Sequence, residues 1–168
     1  MAEYSSLLQV FAQVFIAFAG FAGVIAAFSS IRLSPEVTTF RVRSLVAVAL
    51  FALFAALFPF LPPAFGASEY NTMRIAAIPV AIAMVGISYW IWRQSLPLYR
   101  AGVLDTRRFA LLEYVIAATF ATVFVAVAAG RLVELAPAIY LAALFFGLAL
   151  CCYYFVLVIL AVELRSKG

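Results

Sequence analysis

Histidine is absent from the chain, and with it go the usual axial ligand of a membrane haem and the commonest protein ligand for zinc or copper. Without it no Ser–His or Cys–His pair can be assembled for nucleophilic catalysis, and no glycine-rich phosphate loop is present either. No catalytic residue, cofactor-binding residue or metal ligand is therefore expected, and the sequence does not read as an enzyme. Charge is equally scarce. Asp, Glu, Lys and Arg make up 11% of the 168 residues against 68% hydrophobic residues, and the mean hydropathy is +1.18. Too little polar surface remains for a water-soluble domain of this length. The two cysteines, Cys151 and Cys152, are adjacent inside an apolar run, where small apolar packing is expected rather than a disulfide. The 11 basic residues exceed the 7 acidic ones but are scattered between apolar runs rather than gathered on one face, which argues against nucleic acid as a partner.

What the chain has in abundance is long apolar runs. Stretches 45–58 and 139–162 are almost continuously apolar, unlike the short alternating segments of a membrane β-barrel. At roughly 20 residues per crossing the chain accommodates an all-α membrane protein of five transmembrane helices in a single helical domain, 1–168, with no room for a soluble domain. The spans fall near 7–31, 44–60, 75–92, 109–129 and 138–162. Glu3, with no Lys or Arg before the first long run, argues against a cleavable signal peptide, so the first span is expected to be retained. Ser34 and Pro35 suit the start of the second helix, as N-cap and first helical residue. Pro59, Pro62, Pro63 and Gly66 should end it, Pro79 should kink the third helix, and Asp105 or Thr106 should cap the fourth.

The charges check the span count independently. Arg32, Arg41 and Arg43 lie in the first connection, Arg93, Arg100, Arg107 and Arg108 in the third, and Arg165 and Lys167 in the tail, whereas the second and fourth connections hold only Arg74 and Arg131. Cytoplasmic connections are rich in Lys and Arg, so this alternation predicts an N-terminus outside, a C-terminus in the cytoplasm, and an odd number of crossings. Tyr89, Trp90 and Trp92 read as an interfacial belt at the cytoplasmic end of the third helix. The arginine-containing connection that follows carries Leu96, Leu98, Tyr99, Val103 and Leu104, a composition suited to anionic headgroups or to a partner protein.

The first helix is organised by side-chain size. At 100° per residue, Gln9, Ala12, Gln13, Ile16, Ala19, Gly20, Gly23, Ala26, Ala27 and Ser30 share one side, and Leu7, Val10, Phe11, Val14, Phe15, Phe18, Phe21, Ile25 and Phe28 share the other. The bulky side is expected to face acyl chains. The small side, with Gln9, Gln13, Gly20, Gly23, Ala27 and Ser30 as its key residues, either packs closely against another helix or lines a narrow polar pore formed by several copies. Either use predicts that Gly20→Leu disturbs assembly and that Phe18→Leu is mild. Helix five carries a shorter small-residue stripe, Ala143, Gly147 and Cys151, and helix four offers Ala117, Ala121 and Thr122. At these positions chance matches are frequent in so alanine-rich a chain.

Most acids lie in connections or at helix ends. Glu113 is the exception, about one turn beyond Arg108 into the fourth span, where it either enters the protein interior or turns back toward headgroups. An interior acid would be a proton or cation site. Tyr140, Tyr153, Tyr154, Thr119 and Thr122 are expected to satisfy their hydroxyls on nearby backbone.

The expectation is thus a small, homo-oligomeric, channel-like or transport-related membrane protein whose partners are the lipid bilayer and other copies of itself. The alternative is an accessory, sensor or assembly subunit docked on another membrane protein. One Lys against ten Arg, one Asn and abundant Ala suggest a GC-rich bacterial genome and the cytoplasmic (inner) membrane.

Overall fold

A lipid-embedded segment has no water with which to pair its backbone, so an apolar run long enough to cross satisfies its N–H and C=O groups internally, as a helix. In the computed structural model, which describes residues 2–29, 35–101 and 107–166, helices and turns account for the described residues and no strand is present among them. The helices are α1 (Ala2–Ser29), α2 (Pro35–Leu57), the short α3 (Leu61–Ala64), α4 (Glu69–Arg100), α5 (Arg107–Ala128) and α6 (Ala136–Ser166). All but α3 are long and apolar enough to span a membrane, and the chain is a multi-pass helical membrane protein.

Proline chemistry explains how the expected span 44–60 divides. The regular helix stops at Leu57, a 3-10 turn covers Phe58–Phe60, and α3 restarts with Pro62 and Pro63 in its first turn, where a missing N–H breaks no intrahelical bond. Gly66, at φ +80°, then reverses the chain, with its N–H bonded to the Pro63 carbonyl and that of Ala67 to the Pro62 carbonyl. Ser68 caps the next helix by accepting the Asn71 N–H at 3.4 Å, a start signal the span reading passed over. The expected span 75–92 is the middle of α4, which runs on unbroken through Pro79 and Pro97 to Arg100. Because of that extension Leu98 is buried in the bundle rather than offered to headgroups. Pro35 opens α2 as the sequence indicated. The caps expected at Ser34, Asp105 and Thr106 lie outside the described residues.

At the far end of α5 the chain leaves the helix through Gly130, at φ +83°, with the Arg131 N–H on the Ala126 carbonyl and the Gly130 N–H on the Val127 carbonyl. This glycine-ended turn leaves the Ala128 carbonyl free to accept, and Arg74 Nε of α4 donates to it at 3.2 Å.

The helices assemble as two groups. In the first, α1 lies along α2 and α2 along α6; in the second, α4 and α5 form an antiparallel hairpin. Contact between the groups, of α2 with α4 and α5 with α6, is sparser. Small residues set the close approach inside the first group. Ala49, Ala52 and Ala56 of α2 and Ala143 and Cys151 of α6 are buried, and a Cβ placed on Gly147 would stand 3.4 Å from the Ala52 Cβ and 3.8 Å from the tip of the Phe15 ring. The weak stripe of helix five is thus a true packing seam.

The bulky side of α1 does not face acyl chains as a whole, which corrects the sequence expectation. Phe11 and Phe15 are buried and Phe18 is partly so, while Leu7, Val10 and Phe21 remain exposed. The reason is ring packing with α6: Phe11 meets Phe145 edge-on at 4.9 Å and Phe18 meets Phe155 edge-on at 5.8 Å. Hydrocarbon is as apolar as a phenylalanine, so shape-specific contacts decide which side turns inward.

Candidate functional site

Two features are candidates: the outward side of α1, and the seam between the two helix groups. On α1, Gln9, Gln13, Ile16, Gly20 and Gly23 are all exposed on the protomer, and a Cβ added at Gly20 or Gly23 would meet nothing within 4 Å. At these positions, among the described residues, the side is turned out of its own protomer. Ala12 is buried, and Ala19 is partly buried against the core. The Ala27 side chain and Ser30 lie outside the described residues.

The seam holds a narrow, half-open slot of about 40 Å³, walled by α2, α4, α5 and α6. On α5 the slot follows one stripe, Glu113, Ala117 and Phe124, and on α2 another, Val48, Phe51, Ala52 and Ala55. Its lining is apolar except at its ends and at Ser88. One end is closed by Tyr140, whose ring meets Phe124 edge-on at 5.3 Å. At the other end, where α4 finishes and α5 begins, stands Glu113.

Of the two positions open to Glu113, the structure takes the interior one: 7% of the residue is exposed, and its Oε2 accepts a hydrogen bond of 2.9 Å from the Tyr154 hydroxyl of α6. Among the described residues no arginine or lysine forms an ion pair with it. Tyr153 packs against Tyr154 with ring centroids 5.7 Å apart, and Tyr99 of α4 is within electrostatic reach of both Glu113 and Tyr153. Three helices therefore deliver one buried carboxyl and three phenols to the same end of the slot. One turn beyond Val48 on the slot-facing stripe of α2, Ser44 is fully buried, and its hydroxyl has no hydrogen-bond partner among the described residues.

Sequence reading singled out Glu113 but took Tyr154 as a structural residue and passed over Ser44. A signal for Tyr154 existed: it continues the Ala143, Gly147, Cys151 stripe by one more turn, so it had to share that inward side. Thr119 and Thr122 do return their hydroxyls to the carbonyls four residues back, at 2.9 Å each, as expected. Cys151 and Cys152 are free thiols, the first buried and the second exposed.

A carboxyl in an apolar slot with one neutral donor can bind a cation or carry a proton, because a buried charge without a partner is strongly disfavoured. No protein-family model matches the chain, and no characterised protein or solved structure is detectably similar to it, so its assignment as a five-helix membrane protein rests on its own sequence and geometry.

Proposed function

We propose that this chain is a small, non-catalytic, transport-related membrane protein that works as a homo-oligomer, with copies meeting on the outward side of α1. The observation that carries the reading is the orientation of α1: Phe11 and Phe18 are committed to α6, while two glutamines and two glycines are turned out of the protomer. A glutamine amide brings two donors and an acceptor that lipid cannot satisfy, and the amide of a second copy is its natural complement. Gly20 and Gly23 then permit the close backbone approach that such pairing requires. In a closed ring of copies the same side would form a narrow polar lining, with Gln9 and Gln13 at one mouth. The arginine asymmetry between alternate connections supports a cytoplasmic C-terminus, and the Ala- and Arg-rich composition supports a bacterial inner membrane.

Native mass spectrometry of protein extracted in mild detergent from its own membrane tests this. Identical subunits in a defined stoichiometry are expected, with Gly20→Leu shifting the population to monomer at unchanged thermal stability, since among the described residues nothing lies within 4 Å of a Cβ at that position. A monomer, or a stoichiometric complex with a different protein, would overturn the homo-oligomer and favour an accessory subunit instead.

A further inference from the structure

We propose that the slot between the two helix groups binds a single-chain ammonium amphiphile lacking a phosphate, with its head at Glu113 and its tail along α2, α4, α5 and α6. The site lies within one protomer and does not depend on the α1 contact.

The tail follows from the shape. From Glu113 to Phe124 the slot runs eleven residues along α5, about 16 Å at the rise of an α-helix, which matches one leaflet of a hydrocarbon core about 30 Å thick. The slot is half-open and its apolar lining continues over that length, which suits an extended unbranched chain. Its walls, including Val48, Met84, Ala117 and Leu144, offer a chain apolar contact throughout.

The head follows from the charge. Glu113 is buried with a single hydrogen bond and no described cationic partner, so the complement it lacks is one positive charge. Tyr154 turns its hydroxyl to that carboxyl and Tyr99 lies within electrostatic reach of it, so phenol oxygens able to accept an ammonium N–H stand at the same end. Ser44, buried without a partner at the same end of the slot-facing stripe of α2, can accept an ammonium N–H. A fatty acid would set carboxylate against carboxylate, and an alcohol would leave the charge unanswered. A phospholipid would carry its phosphate toward Glu113 along with its ammonium, so the head is a plain amine or alkylammonium.

The test is binding of radiolabelled dodecylamine to the protein in phosphatidylcholine nanodiscs, corrected for partition into empty discs. Saturation at one molecule per protomer is expected, without competition from dodecanol or dodecanoate. Glu113→Gln preserves size and the ability to accept from Tyr154, and it should weaken binding about tenfold or more, the worth of one hydrogen bond to a charged group. Ala117→Leu, which fills the slot one turn from the carboxyl, should abolish binding while the protein still melts cooperatively, at a midpoint lowered by overpacking. If Glu113→Gln does not fold, Ala117→Leu and the dodecanol competition decide. Equal binding of dodecanol, or indifference to the substitutions that fold, overturns the site. Tighter binding of lysophosphatidylethanolamine than of dodecylamine overturns the phosphate-free head.

Discussion

Serine in a membrane helix usually returns its hydroxyl to the carbonyl four residues back, as Thr119 and Thr122 do in α5. Ser44 makes no such bond although it is fully buried, and an unsatisfied buried hydroxyl costs about 1–3 kcal/mol. That penalty is understandable where an incoming group supplies the missing partner. Ser44→Ala is therefore expected to raise the stability of the ligand-free protein by about 1 kcal/mol, read as a higher thermal midpoint, and to weaken dodecylamine binding. A lower midpoint would show that the hydroxyl is satisfied in the free protein. At this scale the sequence exposed some of the site and hid the rest. Glu113 was visible because an acid so deep in an apolar run has few explanations, but whether it turned inward or toward the headgroups was settled only by the packing of α5 against α6. Ser44 was invisible because one serine beside Arg41 and Arg43 looks like an ordinary helix end until neighbouring helices bury it.

The same uncertainty about partners governs whole helices. Size segregation along α1 was plain in the sequence, but its direction was not, because an apolar bilayer offers no reason to bury one apolar side rather than another. The choice was made by α6, whose Phe145 and Phe155 receive the rings of Phe11 and Phe18 and whose Gly147 opens a groove beside Phe15 and Ala52. Conversely, the Ala143, Gly147, Cys151 stripe was too short to stand out from chance in an alanine-rich chain, yet it forms the contact with α2. The two glycine positions can be separated by one substitution. Gly147→Ala places a methyl at ordinary contact distance and should be nearly neutral, whereas Gly147→Leu crowds Ala52 and Phe15 and should destabilise the monomer by about 1–3 kcal/mol or more. Gly20→Leu should leave the monomer's thermal midpoint unchanged and act on assembly alone. Equal loss of monomer stability at both positions would mean that α1 packs differently from the arrangement described.

Across the whole molecule, the number of spanning helices was legible because it follows from length and apolarity, and five helices of spanning length are present among the described residues. The division into α1, α2 and α6 against the α4–α5 hairpin was not legible, since it depends on which inward stripes find each other, and the slot exists only at that seam. Orientation relative to the membrane rests on charge, with nine basic residues on one set of connections and the tail and two on the other. One of those two, Arg74, has a structural reason to sit where it does: its Nε donates to the Ala128 carbonyl at the end of α5, where a cation also complements the helix dipole. Only Arg131 then weighs against the proposed direction, and it is exposed in a short turn. The expected topology has the N-terminus outside, the slot's Tyr140 end toward the outer face and its Glu113 end toward the cytoplasm, so an amine would meet the carboxyl from the inner leaflet. Reporter fusions decide this. A fluorescent protein fused after Gly168 should be bright and a phosphatase at the same place inactive, with the opposite result for fusions before Met1. The reverse pattern would turn the site toward the outer leaflet and show that Arg74 and Arg131 outweigh the nine.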